Sequence, residues 1–146
     1  MKLILVSLLS AIFLAGCASL QSDPTRDAKL LGEWNCASAT VDGKALPADT
    51  VKALRLAITE TRYITEKGNE TLFDSTYRLD RAKSPAQIFM LGNEGALTGK
   101  EAHGIYEISG DTLRICYTMP GDPAPTAFES GVGSKAYLIH WRRARP

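Results

Sequence analysis

Apolar residues in this chain recur at every second position, in short runs that end at turn-forming residues. Leu54, Leu56 and Ile58 alternate with Arg55, Ala57 and Thr59, and Phe73, Tyr77 and Leu79 with Asp74, Thr76, Arg78 and Asp80. Leu113, Ile115 and Tyr117 alternate with Arg114, Cys116 and Thr118. Tyr137, Ile139 and Trp141 alternate with Leu138, His140 and Arg142. A period of two places one face of each run on a core and the other in water, the mark of a half-buried strand. Between the runs stand Asp42-Gly43, Gly68-Asn69, Ser84-Pro85, Gly92-Asn93, Gly110-Asp111 and Gly121-Asp122-Pro123, all turn signals. The spacing predicts strands near 31–41, 53–60, 61–67, 70–80, 86–91, 102–109, 112–118 and 135–143. One short helix is expected near residues 47–52, where Pro47 and Asp49 suit a helix start. The expected fold is all-β, an eight-stranded antiparallel up-and-down barrel. Closure removes exposed edges, and the interior of such a barrel is either filled by side chains or holds one small ligand.

Residues 3–14 form an apolar run broken only by Ser7 and Ser10 and preceded by Lys2. About twelve residues is the length of a signal-peptide core and falls short of the ~20 that a membrane-spanning helix needs. The run ends in Leu14-Ala15-Gly16-Cys17, which resembles the lipobox of bacterial lipoproteins. That resemblance implies acylation of Cys17 and cleavage before it; an ordinary secretory signal containing a cysteine is the alternative. The resulting organisation is a signal peptide at 1–16, a lipidated tether at 17–29 and a barrel domain at 30–146. Two or more acyl chains give stable anchoring, so the membrane, reached through Cys17, is an expected partner. Ala18 and Ser19 stand where an Asp would resemble an inner-membrane retention signal, which points to the outer membrane, facing the periplasm. Without residues 1–16, acidic and basic residues balance, and apolar content falls from 45% to roughly 41%. A lean, neutral domain fits strands with a wet outer face, and the absence of a basic excess excludes a nucleic-acid partner.

Gly32-Glu33-Trp34 is similar to the Gly-x-Trp of lipocalins. A longer series is formed by Leu31-x-Gly-x-Trp34, Val41-Asp-Gly-Lys-Ala-Leu-Pro47, Leu54-Arg-Leu56, Tyr77-Arg-Leu-Asp80, Pro85, Gly104-Ile-Tyr-Glu-Ile108, Gly110 to Cys116, and Pro125-Thr126 to Phe128. It resembles the small lipocalin-like domain of unknown function first catalogued in planctomycetes. The resemblance covers about residues 30–143 and implies a lipocalin-like fold but no activity. The chain departs from the family at Ala127, where an acidic residue is expected. Counting by two from Tyr137 puts Ile139, Trp141 and Arg143 on one face of the last strand. In a barrel that strand adjoins the first, so Arg143 is expected to lie over Trp34 as a structural cation–π pair.

His103 and His140 lack metal-ligand spacing, and His140, opposite Ile139 and Trp141 on its strand, reads as a surface imidazole. Residues 131–135 lack the full phosphate-loop spacing, and no nucleophile elbow or triad can be assembled. No catalytic residue, metal or cofactor is therefore assigned, and a non-enzymatic role is expected. Cys36 and Cys116 fall on opposite strand faces, which favours two free thiols over a disulfide. Tyr77, Tyr106 and Tyr117 fall on inward positions and, with Trp34, are the candidate lining of a ligand cavity. The leading expectation is a lipid-anchored module that binds a small apolar or amphipathic ligand. The alternative is a packed barrel that contacts an envelope protein, as an accessory factor or inhibitor, through the loops near 92–101 and 119–134.

Overall fold

The structure, a computed structural model, describes residues 23–146; the lipobox and Cys17 lie outside the described residues. The alternating runs form nine strands, β1 (Gly32–Val41), β2 (Lys44–Ala45), β3 (Leu54–Ile58), β4 (Arg62–Lys67), β5 (Glu70–Asp80), β6 (Ala86–Gly92), β7 (Glu101–Ser109), β8 (Thr112–Thr118) and β9 (Tyr137–Arg143). Among the described residues a single α-helix, α1 (Ala48–Ala53), lies between β2 and β3. Each long strand pairs antiparallel with the next, and β9 returns to β1 from Val41↔Tyr137 to Trp34↔Arg143. The result is a closed eight-stranded up-and-down barrel to which β2 adds two residues. That addition hairpins onto β1 at Asp42 and Gly43, whose φ values of 48° and 80° are those a two-residue hairpin turn requires.

Two local features shift the expected boundaries and faces. The last strand begins at Tyr137 and not at 135, because Lys135 has φ 55° and gives its backbone N–H to Asp42 Oδ1 at 2.9 Å. In β1 the register shifts between Cys36 and Ser38. This bulge flips the parity, so that Trp34 faces the core before it and Ala39 faces the core after it.

The interior is filled. Trp34, Leu56, Ile88, Met90, Leu113, Ile115 and Trp141 are all fully buried, and each aliphatic side chain among them contributes about 1.5–3 kcal/mol. Gly104 lies on the inward row of β7, where a Cβ would stand 2.8 Å from the Tyr117 Cβ and the Cys116 carbonyl oxygen. Its missing side chain lets Tyr117 lie against the wall.

The expectation of a wet outer face on every strand is corrected on one side of the barrel. Ile105, Cys116 and Ala136 form a second buried cluster with Phe128 and Leu138, outside the wall. The chain from 119 to 136 folds back over β7, β8 and β9 and covers them. Asp74 is a smaller correction of the same kind. This outward residue of β5 is buried by its ion pair with Arg62 and by Asn93, whose side chain donates to Oδ1 at 2.9 Å.

Candidate functional site

The barrel has a floor, formed by the 59–61 and 110–111 turns, the 81–85 loop and the start of the described chain. Its mouth carries α1, the β1–β2 hairpin and the 93–100 and 119–136 loops. Residues 23–29, the last part of the expected tether, lie along the floor. Asp27 caps a 3-10 turn, Ala28–Leu30, by accepting from the Lys29 N–H, and Leu30 is driven into the core. The Trp34 indole N–H donates to the Leu30 carbonyl at 3.0 Å. Arg143 lies over the indole at 4.1 Å and donates to the carbonyls of Leu31 at 2.9 Å and Lys29 at 2.7 Å. A cation on an aromatic face is attracted by the ring quadrupole. Gly32 has φ 122°, and a Cβ there would meet the guanidinium at 3.3 Å, so both conformation and space call for glycine beside this pair.

The four residues expected to line a cavity are divided between the two ends. Trp34, Tyr77 and Tyr106 are at the floor, whereas Tyr117 stands toward the mouth, stacked on Tyr137 with ring centroids 5.0 Å apart. The Tyr77 hydroxyl donates to the Thr59 carbonyl at 2.8 Å. The Tyr106 hydroxyl donates to Asp27 Oδ2 at 3.3 Å, and Arg81 Nε lies 3.7 Å from the same oxygen. Burial raises the Tyr106 pKa, and the Asp27 charge raises it further. Tyr63, which sequence reasoning passed over, is fully buried, and burial raises its pKa as well. Its strand carries Thr65 on the same inward face, so the apolar alternation there is weak; the aromatic side chain itself was the available signal.

Cys36 and Cys116 are free thiols that donate to the carbonyls of Ser38 at 3.5 Å and Glu129 at 3.4 Å. Burial pushes the Cys36 thiol up to about 11. His103 is exposed, its Nε2 3.1 Å from Glu101 Oε1 and its ring edge-on to Phe89. His140 is exposed too, with Nδ1 3.2 Å from the Ser38 hydroxyl. Among the described residues no group of three or more His, Cys, Asp or Glu is placed to hold a metal ion.

Cavities lie at the floor, along the outer wall and beside the mouth loops. One of about 250 Å³ touches Leu31 and Tyr77, and one of about 470 Å³ touches Tyr106 and Phe128, both at the floor end. A cavity of about 530 Å³ lies under the 119–136 loop, with Ala127 in its wall. Comparison with protein-family models, curated proteins and solved structures returned no match to this chain.

The raised thiol and tyrosine pKa values set a stability limit on the alkaline side. A group whose pKa is higher folded than unfolded stabilises fully below its unfolded value and loses that contribution as pH rises through its folded value. For Cys36 this window runs from 9.0 to about 11, and Tyr63, Tyr106 and Tyr117 add to the loss above pH 10. Melting temperatures measured in reductant should therefore be flat from pH 7 to 8.5 and fall progressively above pH 9. In Cys36→Ala the fall between pH 9 and 10 should be smaller, the part that remains coming from the buried Cys116 thiol, which burial also raises from 9.0. Parallel curves for the two proteins would contradict this assignment.

Proposed function

We propose that this chain is a lipid-anchored, non-enzymatic envelope lipoprotein whose packed barrel presents a rigid loop surface to a protein partner. The lipobox-like Leu14-Ala15-Gly16-Cys17 supports the anchor and an outer-membrane, periplasm-facing location. The series resembling the planctomycete lipocalin-like domain supports kinship with that group and brings no activity with it. Of the two expected roles, ligand carriage and protein contact, the filled interior favours contact. A carrier needs a void of a few hundred cubic ångströms, whereas Ile88, Met90 and Ile115 occupy the centre of this barrel with no exposure at all.

The contact surface is the part of the 119–136 loop at the mouth, around residues 119–126 and 130–136, whereas Phe128 reaches down the outer wall toward the floor. Although it has no regular structure, this loop is held from many sides. Thr118 donates to the Pro123 carbonyl at 2.9 Å, Ser130 donates to Ala136 at 2.7 Å, and Gly43 N–H donates to the Ser130 hydroxyl at 3.2 Å. Lys135 Nζ adds an ion pair to Asp122 at 2.9 Å. A loop fixed before binding loses little conformational entropy on association. Its tip carries Val132, 86% exposed, held above Gly43, where any Cβ would collide with the Val132 backbone at 2.6 Å.

A photo-crosslinking residue placed at Ala124 or Val132 in the native host should trap one envelope protein reproducibly. The same residue at Thr112, on the floor, should not trap it. Absence of any trapped protein from the two loop positions, in a host where the lipoprotein is expressed and folded, would overturn the contact reading.

A further inference from the structure

In the floor cavity of about 470 Å³ several cations and an apolar wall meet around open space. Its sides come from the N-terminal segment, the 81–85 loop, the floor ends of β6, β7 and β8, and Phe128 of the 119–136 loop. Pro85, Tyr106, Ile108 and Phe128 supply the apolar surface. Lys29, Arg81 and Arg114 supply the charge, against two carboxylates, Asp27 and Glu107. Each carboxylate is engaged: Asp27 Oδ2 lies 3.7 Å from Arg81 Nε and accepts from Tyr106, while Glu107 Oε2 lies 2.7 Å from Arg114 Nε. Lys29 has no carboxylate within ion-pair distance among the described residues, so the wall keeps a net positive charge.

The guanidinium groups retain donors. Arg81 uses Nη1 on the Arg26 carbonyl at 2.7 Å, and the Arg114 guanidinium carbon lies over the Phe128 ring, 4.0 Å from its centroid, with no hydrogen bond from its Nη groups among the described residues. An arginine carries five donors in a planar fork that matches a phosphate, and stacking on an aromatic ring leaves that fork usable. A site with cations on one side and aromatic rings on the other suits a ligand with an anionic head and an apolar stem.

We propose that this groove binds an anionic amphiphile, a phosphate ester borne on an apolar stem, with the phosphate at Lys29, Arg81 and Arg114 and the stem against Tyr106 and Phe128. The natural source is a membrane phospholipid. That choice of source rests on the lipid-anchored reading: Cys17 is six residues before Asp23, which limits the floor to roughly 20 Å from the acylated residue. The binding chemistry itself does not depend on the anchor.

The full chain in neutral maltoside micelles provides the test, with backbone NMR shifts at Ala86, Tyr106 and Ile108 as the readout. Dihexanoyl phosphatidylglycerol should shift these signals saturably. Dihexanoyl phosphatidylcholine, whose choline offsets the phosphate, and sn-glycerol 3-phosphate, which lacks the stem, should each bind at least tenfold more weakly. Lys29→Glu, an exposed change whose melting curve should match the parent, should weaken the phosphatidylglycerol response at least tenfold, and Lys29→Gln by less. Absent shifts, equal response to the two lipids, an unaffected Lys29→Glu protein, or glycerol 3-phosphate binding as tightly as the lipid would each overturn the proposal. The last result would assign the cations to free phosphate. None of these readouts needs acylation of Cys17, so failure here is distinct from failure of the anchor.

Discussion

Trp34→Ala is expected to destabilise the barrel by about 3–5 kcal/mol, the range for removing a fully buried large aromatic side chain, and to lower the melting temperature by roughly 10 °C or more. Three separate losses follow from this one change. The core loses an indole with no solvent exposure, the Leu30 carbonyl loses its donor, and Arg143 loses the ring over which it lies at 4.1 Å. Arg143→Ala should cost less, because the indole stays packed and only the cation–π contact, worth ~0.5–2 kcal/mol, and the bonds to the Leu31 and Lys29 carbonyls disappear. Differential scanning calorimetry of the two variants and their double variant separates these effects. The double variant should be less destabilised than the sum, since each partner has already lost the other. An unchanged melting curve for Trp34→Ala would contradict the role given to this pair in closing the floor.

The second large effect concerns the anchor. Cys17→Ser should abolish incorporation of labelled acyl chains and, because a lipobox is acylated before it is cleaved, leave residues 1–16 attached, which mass spectrometry reads directly. The expected loss of label is close to complete, because Cys17 is the residue that the lipobox resemblance marks for acylation. The folded domain should melt as before, since the described barrel begins after this residue. Persistent acylation, or cleavage of the variant before residue 17 as efficient as in the parent, would contradict the lipobox assignment.

Much of the barrel was legible because its chemistry is local. The alternation of Leu113, Ile115 and Tyr117 with Arg114, Cys116 and Thr118 is enough to place β8 and its inward face. The closing β1–β9 pair followed from the same parity, carried from Tyr137 to Arg143. What escaped depends on contacts between distant segments. The bulge at 36–38 flips β1 because β9 must pair on both sides of it, and nothing in Cys36-Ala37-Ser38 alone announces that. The burial of Cys116 on the outer face required knowing where the 119–136 loop folds. Inward parity identified Tyr77, Tyr106 and Tyr117 but could not say which end of the barrel each occupies. Nor could it say that Tyr106 would reach Asp27, 79 positions away. The floor groove was invisible for the same reason: Lys29, Arg81 and Arg114 belong to three unrelated stretches of sequence.

The central claim, a barrel closed and filled by its own side chains, is tested most directly by methyl NMR of the methionine-labelled full chain. Its three methionines are Met1, Met90 and Met119, of which Met90 sits at the centre of the interior with no exposure. On titration with decanoic acid in neutral micelles, the Met90 methyl signal should stay in place up to saturating concentration. A saturable shift of Met90, with an affinity lost when the acid is replaced by its short-chain analogue, would show a ligand inside the barrel and contradict the account.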